Sequence, residues 1–356
     1  MAKRIGISDV ALAAGVSATT VSHALSGQGQ MNPQTRLRVE RIATELGYAP
    51  NRIASALRRQ RSGIIGFVSD EIATTPFAGQ LVLGAQHAAA ARGFLLMVVN
   101  SNRDVLVERS QINALLAQQV DAIVYAKMFH NEVDVPGILH QVPTVLVDAY
   151  DRLAHFPAVV PDEEQIAESA TELLIASGHR RIAHLTIEED TPAKTGRLRG
   201  YRRSLERAGI AFDPSLVVTA HVERGAAATG IARVAFASFL ESGKRPSGVF
   251  CFNDQFAMGV YQAAALFDIR IPHDLSVVGV DNLEIIAANI TPGLTTVALP
   301  HYEMGRWAVE TAAGLVSPVS GGETPVPPSP KRMSCYLVER ESVAVHAPIV
   351  ARPRRA

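Results

Sequence analysis

The sequence predicts a small all-α N-terminal unit joined to a two-lobed α/β body with parallel sheets, on three observations. The first 50 residues carry apolar side chains at three- and four-residue spacing, with glycines at the breaks, the pattern of short packed helices. From Gly63 onward short, wholly apolar runs alternate with helical patterns, and the alternation restarts after Pro161. Strands that are apolar throughout are buried on both faces, as in parallel sheets covered by helices. Charge is also uneven in a chain that is neutral overall. Residues 1–62 hold nine lysines and arginines against Asp9, Glu40 and Glu45, a net of +6, which leaves −6 on the other 294 residues. A basic N-terminal segment on a mildly acidic body suits a nucleic-acid binder with a separate sensor.

The first helix is expected over Ile7–Ala14, with Val10, Leu12 and Ala13 as its apolar positions and Ser8 or Asp9 as cap. Gly15 ends it, Val16 pins the turn, and Ser17 caps a second helix whose Val21, Ala24 and Leu25 point inward. Ala18, Thr19, Ser22 and His23 then face outward. That face is small and polar and carries no acid, as contact with phosphates and base edges requires. Two short helices joined by a glycine turn make a helix-turn-helix. A third, amphipathic helix follows from Asn32 or Thr35 to Gly47, burying Leu37, Val39, Ile42, Ala43 and Leu46. Arg52-Ile-Ala-Ser-Ala-Leu-Arg-Arg59 has good helix formers but is too short to be stable alone in water.

In the body, strands are expected at Ile64–Val68, Phe94–Val99, Asp121–Tyr125 and Val142–Val147, then at Arg181–Leu185, Leu216–Thr219, Gly248–Phe252 and Leu275–Val280. Helices fill the gaps: Phe77–Arg92, with Leu81, Leu83, Ala85, Ala88 and Ala89 inward, Glu108–Gln118, Glu163–Ser177, Arg197–Ala208, Gly230–Ser242 and Ala257–Phe267. In open parallel sheets ligands bind beyond the carboxyl ends of the strands. Those ends present Asp70, Asn100, Tyr125, Asp148, Asn253, Asp254 and Asp281, with Arg197 opening a helix and Phe77 and Phe252 nearby. Carboxylates, amides and one guanidinium beside aromatic faces suit a neutral polyol such as a sugar. Asp and Asn also end strands simply to cap the next helix.

The chain resembles the LacI/GalR (lactose-repressor/galactose-repressor) family of transcription regulators. In the N-terminal unit the residues that carry the resemblance are Asp9-Val-Ala11, Ala14-Gly-Val-Ser17, Thr20-Val-Ser22, Thr35-Arg36, Leu46-Gly-Tyr48 and Pro50-Asn51. Further on they are Pro76-Phe77, Asn100-Ser101, Gly178-His-Arg-Arg-Ile182, Arg197, Asn253-Asp254, Asp281 and Arg340-Glu-Ser342. The resemblance spans roughly residues 3–342. It implies a headpiece over residues 1–50, a hinge helix over 51–62, a periplasmic-binding-protein-like effector and dimerisation domain over 63–342, and a flexible tail over 343–356. Lobe 1 would take about 63–161 plus 298–326, and lobe 2 about 162–292 plus 331–342, with the last segments crossing between them.

It further implies DNA contacts from Ser17, Ala18, Thr19, Thr20, Ser22, His23, Tyr48, Asn51, Arg52, Ala54 and Leu57. The hinge would fold in the minor groove, and Leu57 would wedge between base pairs. Effector contacts would come from Phe77, Asn100, Asp148, Asp162, Arg197, Phe252, Asn253 and Asp281. The implied partners are a palindromic operator, a sugar-like small molecule and a second copy of the chain. Two departures stand out. Pro161 precedes Asp162 where a small polar residue is common, and His23 stands where arginine is common. Imidazole cannot make the bidentate contact of guanidinium with guanine, so another operator base preference is expected.

Enzyme signatures are missing: the sequence has no Gly-x-Ser-x-Gly elbow, no His-Glu-x-x-His and no P-loop. Cys251 and Cys335 are the only cysteines, too few for a disulfide framework or a zinc set. The expectation is a non-enzyme without cofactor or metal, cytoplasmic, with no export signal and no membrane span. A transported sugar-binding protein on the same frame would leave residues 3–60 without a purpose. A regulator answering to a protein partner instead of a sugar stays open.

Overall fold

A computed structural model describes residues 5–26, 30–48, 61–71, 78–221, 228–316 and 329–346. The hinge positions Asn51, Arg52, Ala54 and Leu57, together with Phe77 and residues 347–356, lie outside the described residues. The chain divides into two compact units, residues 1–63 and 64–356.

The N-terminal unit holds α1 (Ile7–Ala14), α2 (Ala18–Ser26) and α3 (Pro33–Glu45). Gly15 ends α1 at φ 64°, where a side chain would be strained. Ser17 accepts from the Thr20 backbone N–H at 3.0 Å and caps α2. Asn32, with Pro33 behind it, caps α3 through the Gln34 N–H at 2.9 Å. Val10, Ala11, Ala14, Val21, Ala24, Val39 and Ala43 form the core. Four expectations fail here, the first being Ala13, which is exposed. Leu12 is 86 % exposed and Leu37 66 %, while Leu46 lies at the rim. Small residues take the inner stripe of α1 because three short helices meet closely, so the bulky Leu12 is left on the outer face.

Among the described residues the body holds two six-stranded sheets. In lobe 1 the strands are β1 (Ile64–Ser69), β2 (Leu95–Asn100), β3 (Ala122–Glu132), β4 (Thr144–Tyr150) and β5 (Ala158–Pro161). Helices α4 (Ala78–Ala91) and α5 (Val105–Ala117) connect them. Lobe 2 follows with α6 (Glu163–Ala176), β6 (Ile182–Ile187), α7 (Pro192–Arg207), β7 (Val217–Ala220) and α8 (Ala228–Glu241). It continues with β8 (Gly248–Cys251), α9 (Asp254–Leu266), β9 (Ser276–Asp281), α10 (Glu284–Ala287) and β10 (Thr295–Ala298). Then α11 (His301–Val316) returns to pack on α4 in lobe 1. With the closing strands β11 (Lys331–Met333) and β12 (Tyr336–Val338), the sheet orders are β11-β5-β4-β3-β1-β2 and β12-β10-β9-β8-β6-β7, parallel except for β10 with β12.

The closing strands correct the expected lobe boundaries. β11 (Lys331–Met333) pairs with β5 in the first sheet, and only β12 (Tyr336–Val338) belongs to the second. The last crossing therefore falls at residues 334–335, not before 331. β3 runs to Glu132, seven residues beyond Tyr125, with a register break against β4 between Ala126 and Asn131. Its mixed Lys-Met-Phe-His-Asn run shows neither apolar continuity nor clean alternation, which is why sequence pattern stops short of it. Leu83 stands exposed on α4, against expectation.

Lobe 2 buries histidines. The His184 ring stacks on Phe250 at 4.6 Å, with Nδ1 3.1 Å from the Phe250 carbonyl oxygen, and burial pushes its pKa down to about 4. The unfolded chain takes a proton near pH 6.5 and the folded one only near 4, so the stability due to this ring is complete above about 6.5 and lost as pH falls toward 4. His184→Gln does not titrate. The difference in melting temperature between wild type and this variant should shrink or reverse between pH 7 and 4.5; a constant difference would contradict the assignment.

Candidate functional site

The two lobes face each other across a cleft at the carboxyl ends of their strands. On the lobe 2 side the crossing of α6 and α7 sets the geometry. A side chain at Gly200 would run into the Glu164 carbonyl oxygen, and one at Gly196 into the Glu163 side chain, so the helices meet backbone to backbone. Ion pairs from the exposed Arg199, Arg203 and Arg207 to the half-buried Glu164 and Glu168 and the exposed Glu172 line the seam. This contact brings Arg197, in the second turn of α7, against Glu163, the first residue of α6.

Arg197 Nε donates to Glu163 Oε2 at 2.8 Å, and Nη1 donates to the Phe252 carbonyl oxygen. The guanidinium also lies 4.4 Å from the Phe252 ring centroid. Arg197 is 4 % exposed and Glu163 5 %. His130 Nδ1 sits 3.5 Å from Glu163 Oε1. Burial alone would raise the Glu163 pKa, but the Arg197 charge and the His130 contact bring it below its ordinary value.

Asp148 and Asp281 complete this inner recess with Asn253, His301, Met128 and Phe129. Both carboxyls are pushed well above the usual range. The main cause is burial, and neighbouring carboxylates add to it: Glu163 for Asp148, and Asp254 for Asp281. Both backbones sit at positive φ, 49° for Asp148 and 109° for Asp281, which non-glycine residues rarely adopt. Strain of this sort persists where the surroundings over-determine it. At Asp281 they do: Arg340 Nη2 holds Asn282 Oδ1 at 2.8 Å, and the Leu283 N–H binds Asp254 Oδ2 at 2.7 Å. Thr296 Oγ1 donates to the other oxygen of Asp254 at 2.6 Å. Asp254 is thus a structural tie, and burial raises it to about 7.

The recess itself has a free volume of about 30 Å³, room for a water molecule. Met128 and Phe129, on the extension of β3, separate it from a cavity of about 400 Å³. Asp70, Arg103, Lys127 and Asn131 line that cavity from lobe 1, and Glu189, Phe252, Asn253 and Gln255 from lobe 2. A drug-sized ligand fits such a volume.

The structure thus brings Asp148, Arg197, Phe252, Asn253 and Asp281 together. Asn253 also caps α9, accepting from the Phe256 N–H at 2.8 Å. Arg197 does not open its helix, which begins five residues earlier at the Thr191-Pro192 cap. Asp162 and Asn100 line neither space. Asp162 caps α6 through the Gln165 N–H, and its neighbour Glu163 enters the recess instead. Asn100 Nδ2 is spent on Asn102 Oδ1. The sequence reading missed Glu163, His130 and His301. In the sequence Glu163 stood out only as the first residue of an expected helix.

On the N-terminal unit, Ser17, Ala18, Thr19 and His23 are exposed, Thr20 and Ser22 half-buried, and Tyr48 packs on the small core. No described helix is long and apolar enough to cross a membrane.

Comparison with known proteins agrees with both units. Residues 6–51 match bacterial regulatory proteins of the lacI family, and residues 171–343 match a periplasmic binding protein-like domain. The chain is 32 % identical over 320 residues to the HTH-type transcriptional regulator DegA of Bacillus subtilis, covering 86 % of this chain and 90 % of that one. It is 30 % identical over 335 residues to the repressor CytR of Escherichia coli K12, covering 94 % and 95 %. Among solved structures it is similar to a lac repressor dimer bound to operator and an anti-inducer, with TM-score 0.75 and 25 % identity, covering 96 % of this chain and all of that one.

Proposed function

Because this chain belongs to the LacI family of bacterial transcription regulators, we propose that it represses genes from a palindromic operator and releases or tightens its hold when a small polyol enters the inter-lobe cleft. It is a sequence-specific DNA-binding regulator with an effector-binding domain. The observation that carries the effector reading is the convergence of Asp148, Arg197, Asn253 and Asp281, with two aspartates held at positive φ, beside a cavity of ligand size. We read the protein as a cytoplasmic non-enzyme.

Base readout falls to Thr19 and His23 on α2, with Ser17, Ala18, Thr20 and Ser22 around them and Tyr48 behind. Asn51, Arg52, Ala54 and Leu57 serve the hinge. Selection of random DNA by the full-length protein tests this. A two-fold symmetric site with half-sites about one helical turn apart is expected, and His23→Ala should relax preference at one base per half-site without abolishing binding. No enrichment would reject the headpiece reading.

A homodimer is supported by apolar exposure on lobe 1. Leu95 and Val98 on the edge strand β2, Leu83 on α4, and Val105 and Leu106 at the start of α5 stand in water, Leu106 at 79 %. Burying such a patch against a second copy restores its hydrophobic contribution. Leu106→Glu should therefore give a monomer in sedimentation at micromolar concentration and weaken operator binding. An unchanged dimer would place the interface elsewhere.

A further inference from the structure

The chain passes between the lobes three times. After β5 it enters lobe 2 at Asp162 and starts α6 at once, and after β10 it returns through Leu299 and Pro300 to start α11. The last crossing runs from strand to strand instead. Met333 ends β11 in the first sheet, Tyr336 begins β12 in the second, and only Ser334 and Cys335 lie between. A residue that belongs to neither sheet has no ladder to satisfy its backbone groups. At Cys335 a side chain takes that part. Gln165 Oε1 accepts from the Cys335 N–H at 2.7 Å, and Gln165 Nε2 donates to the Cys335 carbonyl oxygen at 2.8 Å. Two residues paired across an antiparallel ladder make the same exchange, here with a carboxamide in place of a strand. Nε2 also donates to Ser169 Oγ at 2.9 Å, so both amide hydrogens are used and the group has one orientation.

Gln165 stands in the first turn of α6, and that turn also reaches the recess. The Asp162 N–H donates to the Met333 carbonyl oxygen at 3.0 Å, Asp162 Oδ1 accepts from the Gln165 N–H, and Glu163 holds Arg197. One turn of helix thus touches the edge strand of the lobe 1 sheet, the last crossing and the charged pair of the cleft. Motion between lobes is absorbed by a few residues at element ends. We propose that Gln165 is the positioning residue of the last crossing. It ties the backbone of Cys335 to lobe 2, leaves the exposed Ser334 as the point that bends, and so sets the angle between the lobes. A ligand that disturbs Glu163 is then felt at the crossing, two residues along the same turn. The step from lobe angle to DNA rests on the reading of the protein as an effector-responsive regulator.

The test compares the full-length protein with two variants. Gln165→Leu removes both hydrogen bonds at similar size, and Gln165→Glu keeps an acceptor but sets a carboxylate against the Cys335 carbonyl. Spin labels at Gln119→Cys and Ser242→Cys, exposed positions on lobes 1 and 2, report the distance between the lobes. Cys335→Ala in that background removes a competing thiol and keeps the backbone that Gln165 holds, and labelled chains are diluted with unlabelled ones. Iodoacetamide alkylation is followed separately with both native cysteines in place. Cys335 is 5 % exposed and burial pushes its thiol up to about 12, while Cys251, fully buried in the lobe 2 core, serves as internal reference. Both variants should shift or broaden the inter-lobe distance. Alkylation of Cys335 should rise about tenfold or more relative to Cys251. The affinity of ligand-free protein for its selected DNA site should change by about 2- to 30-fold.

An unchanged inter-lobe distance in both variants overturns the proposal even where Cys335 becomes reactive, because Gln165 would then serve the local backbone alone. Equal gains in alkylation at Cys335 and Cys251 in both variants mean general loosening of lobe 2 and overturn it too. A changed distance with unchanged DNA affinity supports the role given to Gln165 and counts against the link between cleft and DNA.

Discussion

Replacing Arg197 by alanine is expected to destabilise the body by about 3–5 kcal/mol, the usual loss when one member of a buried ion pair is removed. The pair is nearly solvent-free on both sides, with Arg197 4 % and Glu163 5 % exposed. Truncation leaves Glu163 charged and buried beside Asp148, whose carboxyl it already pushes up, and strips the Phe252 carbonyl of its donor. Denaturant unfolding should show the loss at pH 7.5. The deficit should shrink as pH falls and Glu163 takes up a proton, because only the wild-type pair holds that carboxyl below its ordinary value. The double variant Arg197→Ala with Glu163→Gln should recover part of the stability. A single variant as stable as wild type would mean that the pair adds nothing to the fold.

Gly200→Val should cost about 1–3 kcal/mol by overpacking and also impair the cleft. Its β-carbon has nowhere to go, because the Glu164 carbonyl and the Ala167 methyl group occupy the space and backbone cannot step aside as a flexible side chain can. The helices α6 and α7 must separate. Arg197 lies one turn before Gly200 on α7, so the separation moves it from Glu163 and from the Phe252 carbonyl. Melting temperature and ligand binding should fall together, and Gly200→Ala should lie between wild type and valine. Lower stability with intact ligand binding would show that the crossing does not position Arg197.

Much of this architecture was legible in the residues. Gly15 and Ser17 marked the helix-turn-helix, and the wholly apolar runs at Ile64–Val68 and Gly248–Phe252 marked buried parallel strands. Asp148, Asn253 and Asp281 could be placed together because strand ends of parallel sheets converge. The failures have a common origin in tertiary detail. Asp162 and Glu163 are adjacent, and only the cap geometry decides which one turns into the cleft. The extension of β3 has no periodic signature, yet it delivers Met128, Phe129 and His130 to the site. Leu12 and Leu37 lie on plausible helical stripes, but in so small a unit close helix contact favours alanine and valine on the inside. A three-residue strand such as β11 carries too little pattern to say which sheet it will join.

In a regulator of this kind the cleft and the DNA-binding unit are coupled, so that ligand in one changes the hold of the other on DNA. The direct test titrates full-length protein onto its selected DNA site by fluorescence anisotropy, with and without the compound that most raises the melting temperature of wild type. DNA affinity should change by about 5- to 150-fold, the usual range of allosteric coupling, and the change should disappear in Asp281→Asn. The same affinity at saturating compound, or a shift that survives in Asp281→Asn, would contradict it.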